Sequence, residues 1–100
     1  MKLNVYSKKD TVLNIFENLV VLQDDEKTVK ERVRRSVVLP EMKRRYLDSD
    51  YYQIGTFDDA SGQFDAFPSP KFCFSLTEFI PLFELTHPNE VTNHGTKEGN

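Results

Sequence analysis

A single cysteine, Cys73, stands in 100 residues. That excludes an intramolecular disulfide framework and is compatible with a reducing cytosol. No apolar run approaches the roughly 20 residues that span a bilayer, so no membrane partner is expected. The N-terminus enters a strand-like pattern at once and lacks the apolar segment of a signal peptide. The two histidines, His87 and His94, do not stand with Cys73 at metal-ligand spacing, and no metal or cofactor is expected. Glycine-rich phosphate loops, metalloprotease motifs and nucleophile elbows are missing. Neither serine nor cysteine has a base arranged nearby in sequence, so no catalytic residue is assigned and an enzyme is not expected. Internal repeats are also absent.

What is present centres on Tyr51 to Phe67, YYQIGTFDDASGQFDAF. Tyr52, Ile54 and Thr56 alternate with Tyr51, Gln53, Gly55 and Phe57, and Phe64 and Ala66 alternate with Gln63, Asp65 and Phe67. A two-residue period rich in aromatic and β-branched residues predicts strands. Between them, Asp58-Asp59-Ala60-Ser61-Gly62 supplies side chains that bond local backbone and a glycine able to take positive φ. The stretch therefore predicts an antiparallel hairpin.

Around it, Lys2 to Ser7 predicts a first strand and Lys8 to Thr11 a polar corner. Val12 to Glu17 predicts a strand paired back onto the first, and Leu19 to Leu22 either continues it or forms a separate short strand after a bulge at Glu17-Asn18. Helix is the competing reading for Val12 to Asn18. Gln23-Asp24-Asp25-Glu26 is a helix start, because Asp caps free amides and acidic groups suit the first turn. Val29, Val33 and Val37 then form one narrow apolar stripe over Lys27 to Val38. Valine is a mediocre helix former, so the helix must dock that stripe on the sheet. Pro40 ends it or opens a second turn through Tyr46. Pro68-Ser69-Pro70 is expected to close the hairpin, and Lys71 to Ser75 to form a further short strand. Ser75 to Glu78 is a capping-box pattern before a short or kinked helix limited by Pro81. Phe72, Phe74, Phe79 and Phe83 read as core, with an exposed dimer surface as the lesser alternative. From Thr86 onward a flexible polar tail is expected.

Charge is segregated along the chain. Residues 27–45 hold eight basic and two acidic side chains, while residues 46–100 hold two basic and nine acidic ones, and the whole chain carries −3. Clustered Lys and Arg attract nucleic-acid phosphate, and Arg adds planar, bidentate donors. The candidate nucleic-acid-binding residues are Lys27, Lys30, Arg32, Arg34, Arg35, Lys43, Arg44 and Arg45, with Tyr6, Tyr51 and Tyr52 as base-stacking surfaces. The competing reading is a solvated helix face offset by the acidic half of the chain. Asp58 and Asp59, together with Asp65, could hold a cation or act as paired carboxylates, but a hairpin corner already explains the Asp58-Asp59 pair.

From Tyr52 to Gly62 the chain resembles a small non-structural protein of the gokushovirus branch of the Microviridae, which are single-stranded DNA phages. Val5-Tyr6-Ser7 matches the strand that opens that family, and Gly55, Phe57, Asp58, Asp59 and Gly62 match its Gly-x-Phe-Asp-Asp-x-x-Gly corner. The resemblance covers roughly residues 1–67. The helix here is longer and richer in arginine, and the phenylalanine-rich segment after Pro70 has no counterpart. The resemblance implies a non-capsid phage protein of the bacterial host cytoplasm, acting in single-stranded DNA synthesis, its control or packaging. It carries over no catalytic residues.

Together these readings predict an α+β domain over residues 1–85, with a tail from 86 to 100. Its antiparallel sheet has four or five strands, with the basic helix packed on it and a short C-terminal helix. The leading functional expectation is a non-enzymatic accessory protein that binds single-stranded DNA. The alternative is an adaptor that binds a host or phage replication protein or pairs as a homodimer.

Overall fold

Four strands, β1 (Lys2–Asp10), β2 (Ile15–Leu22), β3 (Ser49–Asp58) and β4 (Gln63–Ser75), form one antiparallel sheet in the order β2-β1-β3-β4. Two helices, α1 (Glu26–Ser36) and α2 (Ile80–Thr86), and two 3-10 turns, Arg44–Leu47 and Leu76–Phe79, complete the α+β architecture. The computed structural model describes residues 1–89. No described helix is long and apolar enough to cross a membrane.

The central hairpin forms as its turn chemistry dictates. Asp58 Oδ1 accepts from the Ala60 amide at 2.9 Å, the Gly62 amide donates to the Asp58 carbonyl at 2.7 Å, and Gly62 takes φ 76°. Pro68-Ser69-Pro70 does not close it, contrary to expectation. β4 is an edge strand, where a missing amide leaves no ladder bond unmade. The register jumps from Gly55↔Ala66 to Gln53↔Lys71, so Phe67 to Pro70 bulge opposite Ile54 and pairing resumes beyond them.

The first hairpin differs from expectation at its turn. β1 runs through Lys8, Lys9 and Asp10, and the turn falls on Thr11 to Asn14. Asp10 Oδ1 accepts from the amides of Val12 and Leu13, each at 2.8 Å, and Asn14 adopts φ 60°. Asp and Asn tolerate such geometry, so no glycine is needed. Leu19 to Leu22 continues the same strand, β2, and a bulge at Asn18 interrupts it. Asn18 takes φ 57°, the register shifts opposite Ser7, and Ser7 Oγ donates to the Glu17 carbonyl at 3.0 Å.

Asp25 caps α1 by accepting from the Thr28 amide at 2.9 Å, which holds its carboxyl below the usual range. Val29 and Val37 are buried and Val33 packs beside them, so the valine stripe docks on one sheet face. There the core gathers Tyr6, Leu47, Phe74, Leu76, Phe79 and Phe83. Phe72 is the exception among the expected core phenylalanines. It sits on the opposite sheet face and is 54% exposed.

His87 falls where the sequence suggests a polar tail, yet it is buried. Its ring stacks on Phe83 at 4.1 Å, and Nε2 lies 2.9 Å from the Leu39 carbonyl. Nδ1 lies 2.9 Å from Thr86 Oγ1 and 3.1 Å from the Phe83 carbonyl. His87 thus ties the end of α2 to the segment after α1. Residues 90–100, including His94, lie outside the described residues.

Candidate nucleic-acid interface

The basic residues singled out in the sequence divide into two groups. Five are engaged with carboxylates of the same chain. Lys30 Nζ lies 2.8 Å from Glu78, Arg32 pairs with Asp24, and Arg44 lies 3.1 Å from Asp48. Arg34 grips Glu31 with two bonds at 3.0 and 2.6 Å, and Arg35 approaches the same carboxylate at 3.4 Å. The Arg34 hydrogen bond pulls Glu31 down to about 2, and the same contact raises Arg34. The outer surface of α1 is therefore a lattice of exposed ion pairs rather than a bare cationic stripe. Each such pair is worth little and is screened by salt.

Lys27, Lys43 and Arg45 make no ion pair among the described residues. One of these three, Arg45, meets a residue that the sequence reading passed over. Arg45 Cζ lies 5.2 Å from the centre of the Tyr46 ring, and Lys8 Nζ lies 5.5 Å from the same ring. Tyr46 is exposed, and its phenol is held below the ordinary range first by the Arg45 hydrogen bond and charge, then by Lys43 and Lys8. Cations over a tyrosine face are attracted by the ring quadrupole. Lys8 and Arg45 are thus gathered over one aromatic plate.

Long-range hydrogen bonds build this corner. The Thr11 amide and hydroxyl both donate to the Asp48 carbonyl, at 3.0 and 2.9 Å, which clamps the β1–β2 turn to the 3-10 turn carrying Arg45 and Tyr46. Leu47, fully buried beside them, anchors that turn in the core. The result is an open cleft of about 760 Å³ between the sheet and the segment after α1, lined by Lys8, Arg45, Tyr46, Asp10, Glu17 and Asp48 among others. Its acids are partly occupied, since Asp10 caps its own turn and Asp48 holds Arg44. A signal in the sequence could have found Tyr46, because Arg44-Arg45-Tyr46 interleaves basic and aromatic residues. Lys8 could not be placed without the length of β1.

The three tyrosines expected to stack on bases are not available together. Tyr6 is 1% exposed, and its hydroxyl donates to the Asp24 carbonyl at 2.8 Å. Tyr51 stacks on Phe74 at 5.1 Å against the core. Tyr52 lies on the other face, between Phe16 and Phe72. Both inward rings follow from register, because Tyr6 and Tyr51 fall on the face that α1 covers.

Asp58 and Asp59 serve the hairpin corner. Asp58 is held below its usual range chiefly by the Ala60 amide, and Asp59 accepts from the Met1 amino group at 2.9 Å. Among the described residues, no three His, Cys, Asp or Glu side chains are grouped to hold a metal ion. Burial pushes the Cys73 thiol up, away from the reactive thiolate.

No curated protein and no solved structure matches the chain. A family described as Phage ORF5 protein matches residues 3–79, reaching from β1 through the whole sheet to the turn before α2. The match extends past Pro70 to residue 79 and so takes in most of the phenylalanine-rich segment. With more than half its length covered, including the central hairpin, the chain belongs to the Phage ORF5 protein family.

Proposed function

We propose that this phage protein is a non-enzymatic accessory factor that binds single-stranded nucleic acid in viral DNA synthesis, its control or packaging. The gokushovirus-type resemblance of the hairpin motif is the reason for favouring single-stranded DNA and the host cytoplasm. The observation that carries the reading is the exposed Tyr46 ring with Lys8 and Arg45 over it, neither of which makes an ion pair among the described residues. A base can stack on the ring while adjacent phosphates meet the cations. Arg34 and Arg35 of α1 play a lesser part, since a phosphate contact at either must displace Glu31, already in place.

The test is fluorescence anisotropy with a labelled single-stranded oligonucleotide at two salt concentrations. Binding should weaken steeply with salt. Tyr46→Ala should cost about 1–3 kcal/mol, the range for one stacked base. Binding that ignores both salt and Tyr46→Ala contradicts the assignment. A second reading, association with another protein, draws on the uncovered face of the sheet.

A further inference from the structure

The helix layer packs on the Tyr6 face of the sheet; on the second face Val5 and Ser7 are buried while the larger apolar side chains around them are exposed. Register places four rows of side chains on this second face. Val21, Val5, Gly55 and Ala66 form one row, Leu3, Phe57 and Phe64 the next, and Ser7, Tyr52 and Phe72 a third. Phe16 and Lys9 form the fourth, with Asp50 opposite Lys9. Leu19 joins them by alternation with Val20, which faces the helix layer beside Tyr6. Large apolar side chains are left in water here: Leu19 is 65% exposed, Phe72 54%, Phe64 48% and Phe16 43%. Phe16, Tyr52 and Phe72 meet edge to face at 5.3 and 5.7 Å, a preformed aromatic strip across three strands. A contiguous apolar surface of this kind marks an interaction site rather than a solvated face.

We propose that this face is covered by the same face of a second copy of the chain, giving a two-fold sandwich with the α1 layers outside. Three observations select that occupant. The first is charge. Lys9 and Asp50, registered opposite each other, are the charged residues of these rows, so two copies meet without repulsion while a polyanion finds little to hold it. The second is size. Four strands at about 4.8 Å and the nine residues of β1 at about 3.3 Å each span on the order of 600 Å² in projection. Side-chain relief brings this toward the roughly 800 Å² per partner of a standard interface. The third is that the edges are blocked while the face is open. Pro68 and Pro70 break the outer edge of β4, and the Asn18 bulge interrupts β2, so copies are steered away from strand-to-strand addition. The chain's own remaining residues offer little cover, because residues 90–100 contain one aliphatic side chain, Val91.

The proposal is independent of nucleic-acid binding at Tyr46 and is tested without nucleic acid. Sedimentation equilibrium of the full chain should give twice the chain mass, unchanged as salt is raised. Phe72→Glu and Leu19→Lys, on opposite edge strands and both exposed, should each weaken association at least about tenfold, with the circular dichroism spectrum unchanged. Because the two sites lie on different strands, a folding defect in one variant leaves the other to decide. A monomer at all concentrations to about 0.1 mM overturns the proposal. So does a dimer that both variants retain, or one that dissociates with salt, which would place the contact between charged surfaces instead.

Discussion

On one side of the sheet Tyr6, Tyr51 and Phe74 lie under or against Val29, Val37 and Phe83. On the other, Phe16, Tyr52 and Phe72 meet edge to face with no described element over them. The strands are the same and both faces are aromatic. What separates them is where α1 and α2 return. Both helices are short, and both dock on the Tyr6 side, so the chain spends its apolar stripes there. A single layer of helix cannot cover two faces. The comparison teaches that hydrophobicity alone does not say which side of a sheet is core; the second layer decides.

Truncations should separate the faces first. Phe83→Ala removes a side chain that is 1% exposed and should lower stability by about 3–5 kcal/mol. Phe72→Ala, on the open side, should change monomer stability by about 0.5 kcal/mol or less. Urea unfolding of both variants at low protein concentration checks this, and equal losses would erase the distinction. Gly55→Ala should come next. An added Cβ there would fall 2.4 Å from the Asp65 carbonyl oxygen and 2.8 Å from the Phe64 ring, so β4 must shift, at about 1–3 kcal/mol. Unchanged stability in that variant would mean that β4 yields freely.

Titration probes the covered face. Burial raises the Tyr6 phenol from 10.0 to about 12. A raised folded value stabilises the fold below the unfolded value, and that contribution is lost as pH climbs from about 10 to about 12. Stability should fall by on the order of 2 kcal/mol across that window, and Tyr6→Phe should flatten the fall. A small effect is also expected at Ser49. Among the described residues its buried Oγ has no hydrogen-bond partner, so Ser49→Ala should be neutral or stabilising by up to about 1 kcal/mol. A loss of more than that in thermal or urea unfolding would show a partner at this hydroxyl.

Much of the architecture was legible because local signals agreed with one another. The Asp58 to Gly62 corner, the Asp25 cap and the four-residue valine stripe each name their own structure. Pro68 and Pro70 misled because their meaning depends on whether β4 lies at an edge, which strand order decides. His87 was read as tail because its neighbours are polar, and only the Leu39 carbonyl, 48 residues away, gives it a reason to be buried. The candidate site suffered most. Charge counting along the chain found the cations but could not see that Glu31, Glu78, Asp24 and Asp48 would meet five of them. Nor could it bring Lys8 to Tyr46, because that contact depends on the Thr11–Asp48 clamp.

The account's functional centre is that phosphate is received by cations without carboxylate partners. Its most direct test compares two variants in salt-titrated binding of single-stranded DNA: Lys8, Lys43 and Arg45 replaced together by Ala, and Arg34 and Arg35 replaced together by Ala. The first should lose most affinity, and its salt slope should become shallower by about 2, as three lost phosphate contacts require. The second should keep most of both. Loss confined to the Arg34 and Arg35 variant, with the Lys8, Lys43 and Arg45 variant binding as before, would contradict the account.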